Sequence, residues 1–316
     1  MPFRATFDCL WCGRPWNASS EADLTGWASL CADCLERAQD NQFLRYRLRA
    51  ALRERAGGSA TTGSATTGSA TTGSATTGSA TQTPTPVALD LDREMRDYYA
   101  ARTPEYDDWY LRRGRYARGP ARDLAWHAEL DQATAWLDRS PLSGEIVELA
   151  AGTGWWSPLL AQKGQLSMYD INPGPLELAR ERLVAHHLRA HLHVRDAWAA
   201  PDRQVDGLFC GFWLSHVPDA RLDGFLELAC RWLLPGGRFA FIDSLPDPES
   251  GAVDHDPVAA DGTSMRRLAD GREFRIVKVH RSAEQMGEAL RSAGFDDVRI
   301  DSTSRFFQMG SGVRAS

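Results

Sequence analysis

From Leu91 onward the sequence alternates short apolar runs with segments whose apolar residues recur every three or four positions. The runs suit strands buried on both faces, and the periodic segments suit amphipathic helices. Strands are predicted at Glu145 to Ala150, Gln165 to Asp170, His191 to Arg195, Val205 to Phe212 and Arg238 to Ser244. Helices are predicted between them at Trp155 to Lys163, Gly174 to His187 and Ala220 to Leu234. This alternation predicts an α/β fold built on a largely parallel sheet. Further on, Phe274 to His280 reads as extended, Ser282 to Ala293 as helical, and Val298 to Gln308 as one or two closing strands. Ahead of the first strand, Leu91 to Leu111 and Arg122 to Asp138 read as two added helices.

The pattern is interrupted over residues 57–86, where four consecutive GSATT units begin at Gly58 and a Thr/Pro tail follows, without a single charge. Such a segment is a flexible linker with a root-mean-square span of about 30 Å. It divides the chain into an N-terminal segment 1–56, the linker, and a large segment 87–316 that carries an insertion at 245–281. In the first segment, Asn41 to Arg55 reads as a helix with Phe43, Tyr46, Leu48 and Leu52 on its apolar side. Its arginines Arg45, Arg47, Arg49, Arg53 and Arg55 are either solvated or turned to an acidic partner.

With 43% hydrophobic and 25% charged residues among 316, the composition is that of a globular chain and excludes collagen-like and wholly disordered classes. No apolar stretch reaches the ~18 residues a transmembrane helix needs, and the N-terminus lacks the apolar core of a secretory signal. The expected location is cytoplasmic, with no membrane partner. A net charge of −6 argues against a general affinity for phosphate backbones.

Four of the six cysteines are grouped as Cys9, Cys12, Cys31 and Cys34: two CxxC pairs separated by eighteen residues. Each pair can turn two thiolates toward one ion, and four sulfurs complete the tetrahedron zinc prefers in structural sites. With no open coordination position, such a zinc folds its segment and does no chemistry. A unit of this size has too small a core to hold together otherwise. With Gly13 after Cys12, residues 7 to 36 resemble a zinc ribbon, a resemblance that names no ligand and leaves a protein or an RNA partner open. Cys210 and Cys230 fall in a strand and a helix and read as core.

The stretch Ile146-Val-Glu-Leu-Ala-Ala-Gly-Thr-Gly154 runs from a buried strand into a glycine loop and then a helix. Gly152 and Gly154 let the backbone approach a nucleotide-type ligand without Cβ obstruction. Ser157 stands where a dinucleotide fingerprint has its third glycine, and Glu148 puts a carboxylate where a pyrophosphate is unwelcome. That carboxylate suits a ligand with an ammonium group.

On these residues the chain resembles the class I S-adenosylmethionine-dependent methyltransferases, whose first motif is an acidic residue, an apolar residue and GxGxG. Here Glu148-Leu149-Ala150-Ala151-Gly152-Thr153-Gly154 fills it, with Ala150 in place of the first glycine. The resemblance continues over the catalytic segment. Asp170 matches the acid that holds both ribose hydroxyls, Asp196 the acid facing the adenine amine, and Leu234-Pro-Gly-Gly-Arg238 the turn before the fifth strand. It implies a Rossmann-like seven-stranded, mostly parallel sheet with flanking helices, and S-adenosylmethionine as cofactor.

In small-molecule methyltransferases of this type an N-terminal helix closes over the cofactor, and aromatic faces attract its sulfonium. Tyr99 and Tyr106 are the expected contacts, and Arg115 is placed to meet the cofactor carboxylate. Methyl transfer needs alignment and water exclusion, and a base only where the acceptor is protonated. His216 follows the fourth strand and is the candidate base, or else it braces its loop. The insertion, with Asp254-His255-Asp256 and Arg266-Arg267, reads as a lid that selects the substrate.

The fourth strand is not followed by an Asn/Asp-Pro-Pro-Tyr/Phe motif or a Pro-Cys pair, the marks of two kinds of base methylation. A small molecule is therefore the expected acceptor. The alternatives are a ribosomal RNA base, which the ribbon and arginine helix suit, and a non-catalytic cofactor-binding adaptor.

Overall fold

The computed structural model describes Ala5–Asp8, Pro15–Ala18 and residues 86–316, with side chains from Asp90 onward. The chain divides into two units, Met1–Ala88 and Leu89–Ser316. In the first, β1 (Ala5–Asp8) pairs antiparallel with β2 (Pro15–Ala18), Ala5 opposite Ala18 and Asp8 opposite Pro15. The four expected zinc ligands, the arginine helix and the repeat linker lie outside the described residues.

The helix α1 (Pro86–Ala101) leads into the second unit, followed by a 3-10 turn at Thr103–Glu105, the short α2 (Asp108–Leu111) and α3 (Pro120–Arg139). The single helix expected over Leu91 to Leu111 is thus broken. Pro104 carries no N–H and disfavours helical geometry at Thr103, so the chain bends there. Next come β3 (Gly144–Leu149), α4 (Ser157–Lys163), β4 (Gly164–Asp170), α5 (Pro173–Ala185), β5 (His191–Val194) and β6 (Val205–Gly211). They are followed by α6 (Asp219–Trp232), β7 (Leu233–Ser244), β8 (Thr263–Arg267), β9 (Glu273–Val277), α7 (Ala283–Ser292), β10 (Phe295–Ser302) and β11 (Phe307–Arg314).

Seven strands form one sheet in the order β10-β11-β7-β6-β3-β4-β5. The five from β7 to β5 are parallel, and β11 and β10 join antiparallel. The strand β8 was not expected. It pairs with β9 as a separate antiparallel hairpin across a turn containing Asp270-Gly271, a signal the apolar pattern alone does not carry.

Strand alternation divides the core. Val147, Leu149, Leu208, Cys210, Phe239 and Phe241 face α6 and α7, packing on Phe225, Trp232 and Leu290. Ile146, Met168, Phe209, Ala240 and Ile242 face the other way, onto Trp126, Leu130, Leu160, Leu176 and Leu183. With both faces covered, these strands need apolar residues at nearly every position. The strand β3 has β4 on one side and β6 on the other. Chain order therefore reverses at β3, and open α/β sheets leave a crevice at the carboxyl ends beside such a point.

Candidate functional site

A cleft of about 770 Å³ occupies that crevice, lined among others by Ala150, Gly152, Asp170, Asp196, Tyr99 and Tyr106. Asp170 ends β4 with its carboxylate accepting two backbone N–H groups, Gly152 and Asn172, both at 2.8 Å. Burial pushes its pKa up to about 6 against the pull of those two donors. Asp196 is exposed at the cleft's other side and accepts the Trp198 N–H at 2.9 Å. Trp198 and Ile171 line the wall between the two acids.

The loop after β3 is left-handed at three positions: Ala150 at φ 51°, Gly152 at φ 54° and Gly154 at φ 68°. The two glycines answer different contacts. A Cβ on Gly152 would stand 2.8 Å from the Tyr106 hydroxyl, and one on Gly154 would stand 2.7 Å from the Ala179 methyl of α5. Gly152 therefore admits the tyrosine to the cleft floor, and Gly154 lets α5 pack under the loop. Ala150 holds the same backbone region with a side chain, which costs roughly 1–2 kcal/mol.

Two of the expected cofactor residues do not line the cleft: Gly154 and Glu148. Glu148 shares the face of Ile146, so alternation turns it beneath the loop into the layer of α4 and α5. There it is 1% exposed and accepts the Ser157 hydroxyl at 2.5 Å. Burial raises its pKa to about 8, which keeps it protonated near neutrality. The expected ammonium ligand is thus corrected to a neutral brace under the glycine loop.

A pH-dependent stability follows from this brace. The folded pKa lies above that of an unfolded glutamate, so the folded state holds the extra proton between about 4.5 and 8. Stability then falls as pH rises through that window, by on the order of 1 kcal/mol per pH unit. Glu148→Gln is expected to fold and to lose that slope, as denaturant titrations at pH 6 and 8 will show. An unchanged slope would mean that Glu148 is ionised in the folded protein.

His216 is 7% exposed on a 3-10 turn after β6. Its Nδ1 lies 2.6 Å from the Val277 carbonyl, which can only accept, so the hydrogen sits on Nδ1. The remaining lone pair on Nε2 accepts the Tyr99 hydroxyl at 2.7 Å. Burial first, and then Lys278, lower the imidazole pKa to about 3. As a base, therefore, His216 is weak and already occupied, and it reaches the cleft only through Tyr99.

Tyr99, Tyr106, Phe212 and His216 also form one wall of a second chamber of about 610 Å³. The 245–281 insertion supplies its far side, with His255, Arg266, Ile276 and Lys278. The β8–β9 hairpin is packed on α1 through Leu268, Ile276 and Val277 against Met95 and Tyr98. Arg115 does not line the cleft. It donates two hydrogen bonds to Asp254, at 3.0 and 2.7 Å, tying the insertion to the segment after α2. Although acids flank His255 in sequence, its pKa is lowered to about 3, by burial and then by Arg266, Arg102 and Arg115.

Several site residues escape sequence reasoning. Asp107 and Arg182, 3% and 1% exposed, form a buried ion pair, and Asp107 also accepts the Thr153 hydroxyl at 2.5 Å. Arg182 donates in addition to the Thr153 carbonyl, so the pair clamps the glycine loop to α5 and the segment before α2. Lys278 is one of only two lysines in the chain, the single signal that singles it out. Among the described residues, no group of three or more His, Cys, Asp or Glu is arranged to hold a metal ion. None of their helices is long and apolar enough to cross a membrane.

Residues 146–237 match a family model described as a methyltransferase domain. Over 174 residues the chain is 29% identical to the ubiquinone/menaquinone biosynthesis C-methyltransferase UbiE of Serratia proteamaculans, a match covering 48% of this chain and 66% of that enzyme. UbiE of Edwardsiella ictaluri is 27% identical over 177 residues, covering 49% of this chain and 68% of that one. Among solved structures, DhpI with SAH superposes at a TM-score of 0.55 with 28% identity, covering 71% of this chain and 97% of DhpI. The DhpI complex with SAM and HEP superposes at 0.54 with 29% identity, covering 70% of this chain and 97% of that one. The family match at residues 146–237, the relatives and the superpositions on DhpI together support an S-adenosylmethionine-dependent methyltransferase, in keeping with the switch-point cleft and its two acids.

Proposed function

We propose that the protein moves a methyl group from S-adenosylmethionine to a small-molecule acceptor held in the second chamber. The observation that carries this reading is the pair of adjoining chambers sharing Tyr99, Tyr106, Phe212 and His216. A methyl donor on one side of such a wall and a nucleophile on the other are aligned for in-line displacement, away from bulk water. A lining of aromatic rings with a few polar and cationic side chains suits a small organic molecule.

In this reading Asp170 takes the ribose hydroxyls and Asp196 the adenine amine, with Ala150 and Gly152 forming the floor beneath. Tyr99 and Tyr106 present ring faces and hydroxyls to the sulfonium region. Glu148 and Gly154 act through the loop they hold. His216 is a positioning residue that fixes the Tyr99 hydroxyl. The cofactor supplies an electrophilic methyl carbon, and the chain supplies orientation and exclusion of water.

The test is calorimetry with S-adenosylhomocysteine, followed by incubation of a lysate with methyl-labelled cofactor. Saturable binding and label in low-molecular-weight products are expected. Label confined to RNA or protein would overturn the small-molecule acceptor, and no label at all would favour a cofactor-binding adaptor.

We further propose that Cys9, Cys12, Cys31 and Cys34 bind one structural zinc. Their spacing supports this, as does the antiparallel β1–β2 pair that brackets Cys9 and Cys12 in sequence. Purified protein is expected to carry one zinc per chain, lost when Cys9 or Cys31 becomes serine. Metal analysis finding none would remove the ribbon and leave the methyltransferase domain untouched.

A further inference from the structure

The two chambers differ in charge. The cofactor cleft is lined by Asp92, Asp170 and Asp196 with one cation, Arg96. Among the described residues, the second chamber is lined by Arg102, Arg266 and Lys278 and by no aspartate or glutamate. Arg102 is 9% exposed, and its guanidinium carbon lies 4.8 Å from the Tyr106 ring centre and 5.5 Å from that of Tyr116. Ring faces attract a cation but offer its N–H groups no lone pair in the plane of the guanidinium. Among the described residues its Nε has no hydrogen-bond partner, and neither has the buried Tyr116 hydroxyl.

The other two cations are also short of countercharge. Arg266, from β8, reaches the Asp256 carbonyl at 3.4 Å. Lys278 donates to the Ser215 and Ser244 hydroxyls at 2.8 and 2.5 Å, with the Asp243 carboxylate 3.9 Å away. Burial holds Arg266 and Lys278 below their ordinary basicity, and Arg102 lowers each further. Three like charges out of water repel one another, and an entering anion relieves that cost.

We infer that the second chamber is an oxyanion site: the acceptor carries a carboxylate or phosphoryl group that seats against Arg102, Arg266 and Lys278. This inference rests on the methyltransferase reading, whose acceptor class it names. The field runs from the cationic chamber to the acidic cleft, so an acceptor is anchored by its anionic end with its other atoms facing Tyr99 and Phe212. A neutral acceptor brings no countercharge to Arg102 and Arg266 and leaves Lys278 with Asp243 alone, which gives discrimination by charge as well as shape.

The experiment is calorimetry on the full chain at low ionic strength, with and without S-adenosylhomocysteine, using inorganic phosphate, phenyl phosphate, benzoate and neutral benzamide as probes. Saturable binding of phosphate and phenyl phosphate, or of benzoate, is expected, with none for benzamide. Which anion binds identifies the group. Arg266→Gln and Lys278→Met, on the half-buried side of the chamber, are expected to weaken that binding roughly ten- to hundredfold. Both should leave the affinity for S-adenosylhomocysteine within about twofold, because they act on a separate chamber. The inference is overturned if S-adenosylhomocysteine binds but no anion saturates, or if both variants bind the anion as the parent does. Failure of S-adenosylhomocysteine to bind would sink the methyltransferase reading instead, and the anion titration without it still decides the charge of the chamber's ligand.

Discussion

Asp170→Asn is expected to weaken S-adenosylhomocysteine binding about 30- to 150-fold, the loss of two hydrogen bonds to a charged acceptor. The carboxylate already accepts the Gly152 and Asn172 N–H groups, one on each oxygen, and its remaining lone pairs face the cleft. An amide presents one oxygen and one NH2 in the same space, so one backbone donor would confront another donor. Folding is therefore expected to weaken as well, by about 1–3 kcal/mol for the unsatisfied N–H. Calorimetry and thermal melts separate the two effects.

The same group sets a pH dependence. Its pKa of about 6 means that the parent loses affinity as pH falls through 6, when the acceptor becomes a neutral acid. The asparagine variant should lack that dependence. Parent-like affinity in the variant at pH 8 would mean that the ribose lies elsewhere.

The second large effect is expected at a residue outside any motif. Arg182→Met takes from the buried Asp107 its ion-pair partner Arg182, and removing one member of such a pair costs about 3–5 kcal/mol. That is a large part of the 5–15 kcal/mol typical of a folded domain. The glycine loop loses the Arg182 bond to the Thr153 carbonyl, and the Asp107 that holds the Thr153 hydroxyl loses its ion pair with Arg182, so cofactor affinity should fall with stability. Asp107→Asn combined with Arg182→Met removes both charges and is expected to recover more than half of the loss in denaturant titrations. A single variant that unfolds at the parent's midpoint would show that the clamp contributes nothing.

Much of the fold was legible because it depends on period and punctuation. Four of the five parallel strands are predicted to within a residue at each end, since two covered faces demand unbroken apolar runs at Ile146, Leu166 and Leu208, whereas β7 begins five residues before the predicted Arg238, in the Leu233–Gly237 stretch read as helix end and turn. The glycine loop was legible for a local reason, a left-handed backbone that Gly152 and Gly154 adopt at little cost. The long helix before the sheet was misread because apolar period ran through Pro104 without registering the break. Residues Thr263–Arg267 went unread as a strand because β8 is only partly buried, and its alternation is too weak to stand out.

The site was legible in its acids and not in its bases. Asp170 and Asp196 stand at strand ends, a position that chain order alone assigns. Arg102, Arg266 and Lys278 come from three separate segments, 176 positions apart at the extremes, and nothing local marks them as neighbours. Glu148 shows the limit from the other side. Its place in the motif was readable, but whether it is ionised depends on the helix layer that covers it.

By itself, then, the sequence determined most of the succession of strands and helices and the glycine loop that bends after β3. These follow from side-chain period and backbone preference, which act over a few residues. Tertiary structure alone decided which charges are paired, which are stranded and which protons are held. Those outcomes depend on distance and on exclusion of water, and both are set only when segments far apart in the chain close on one another.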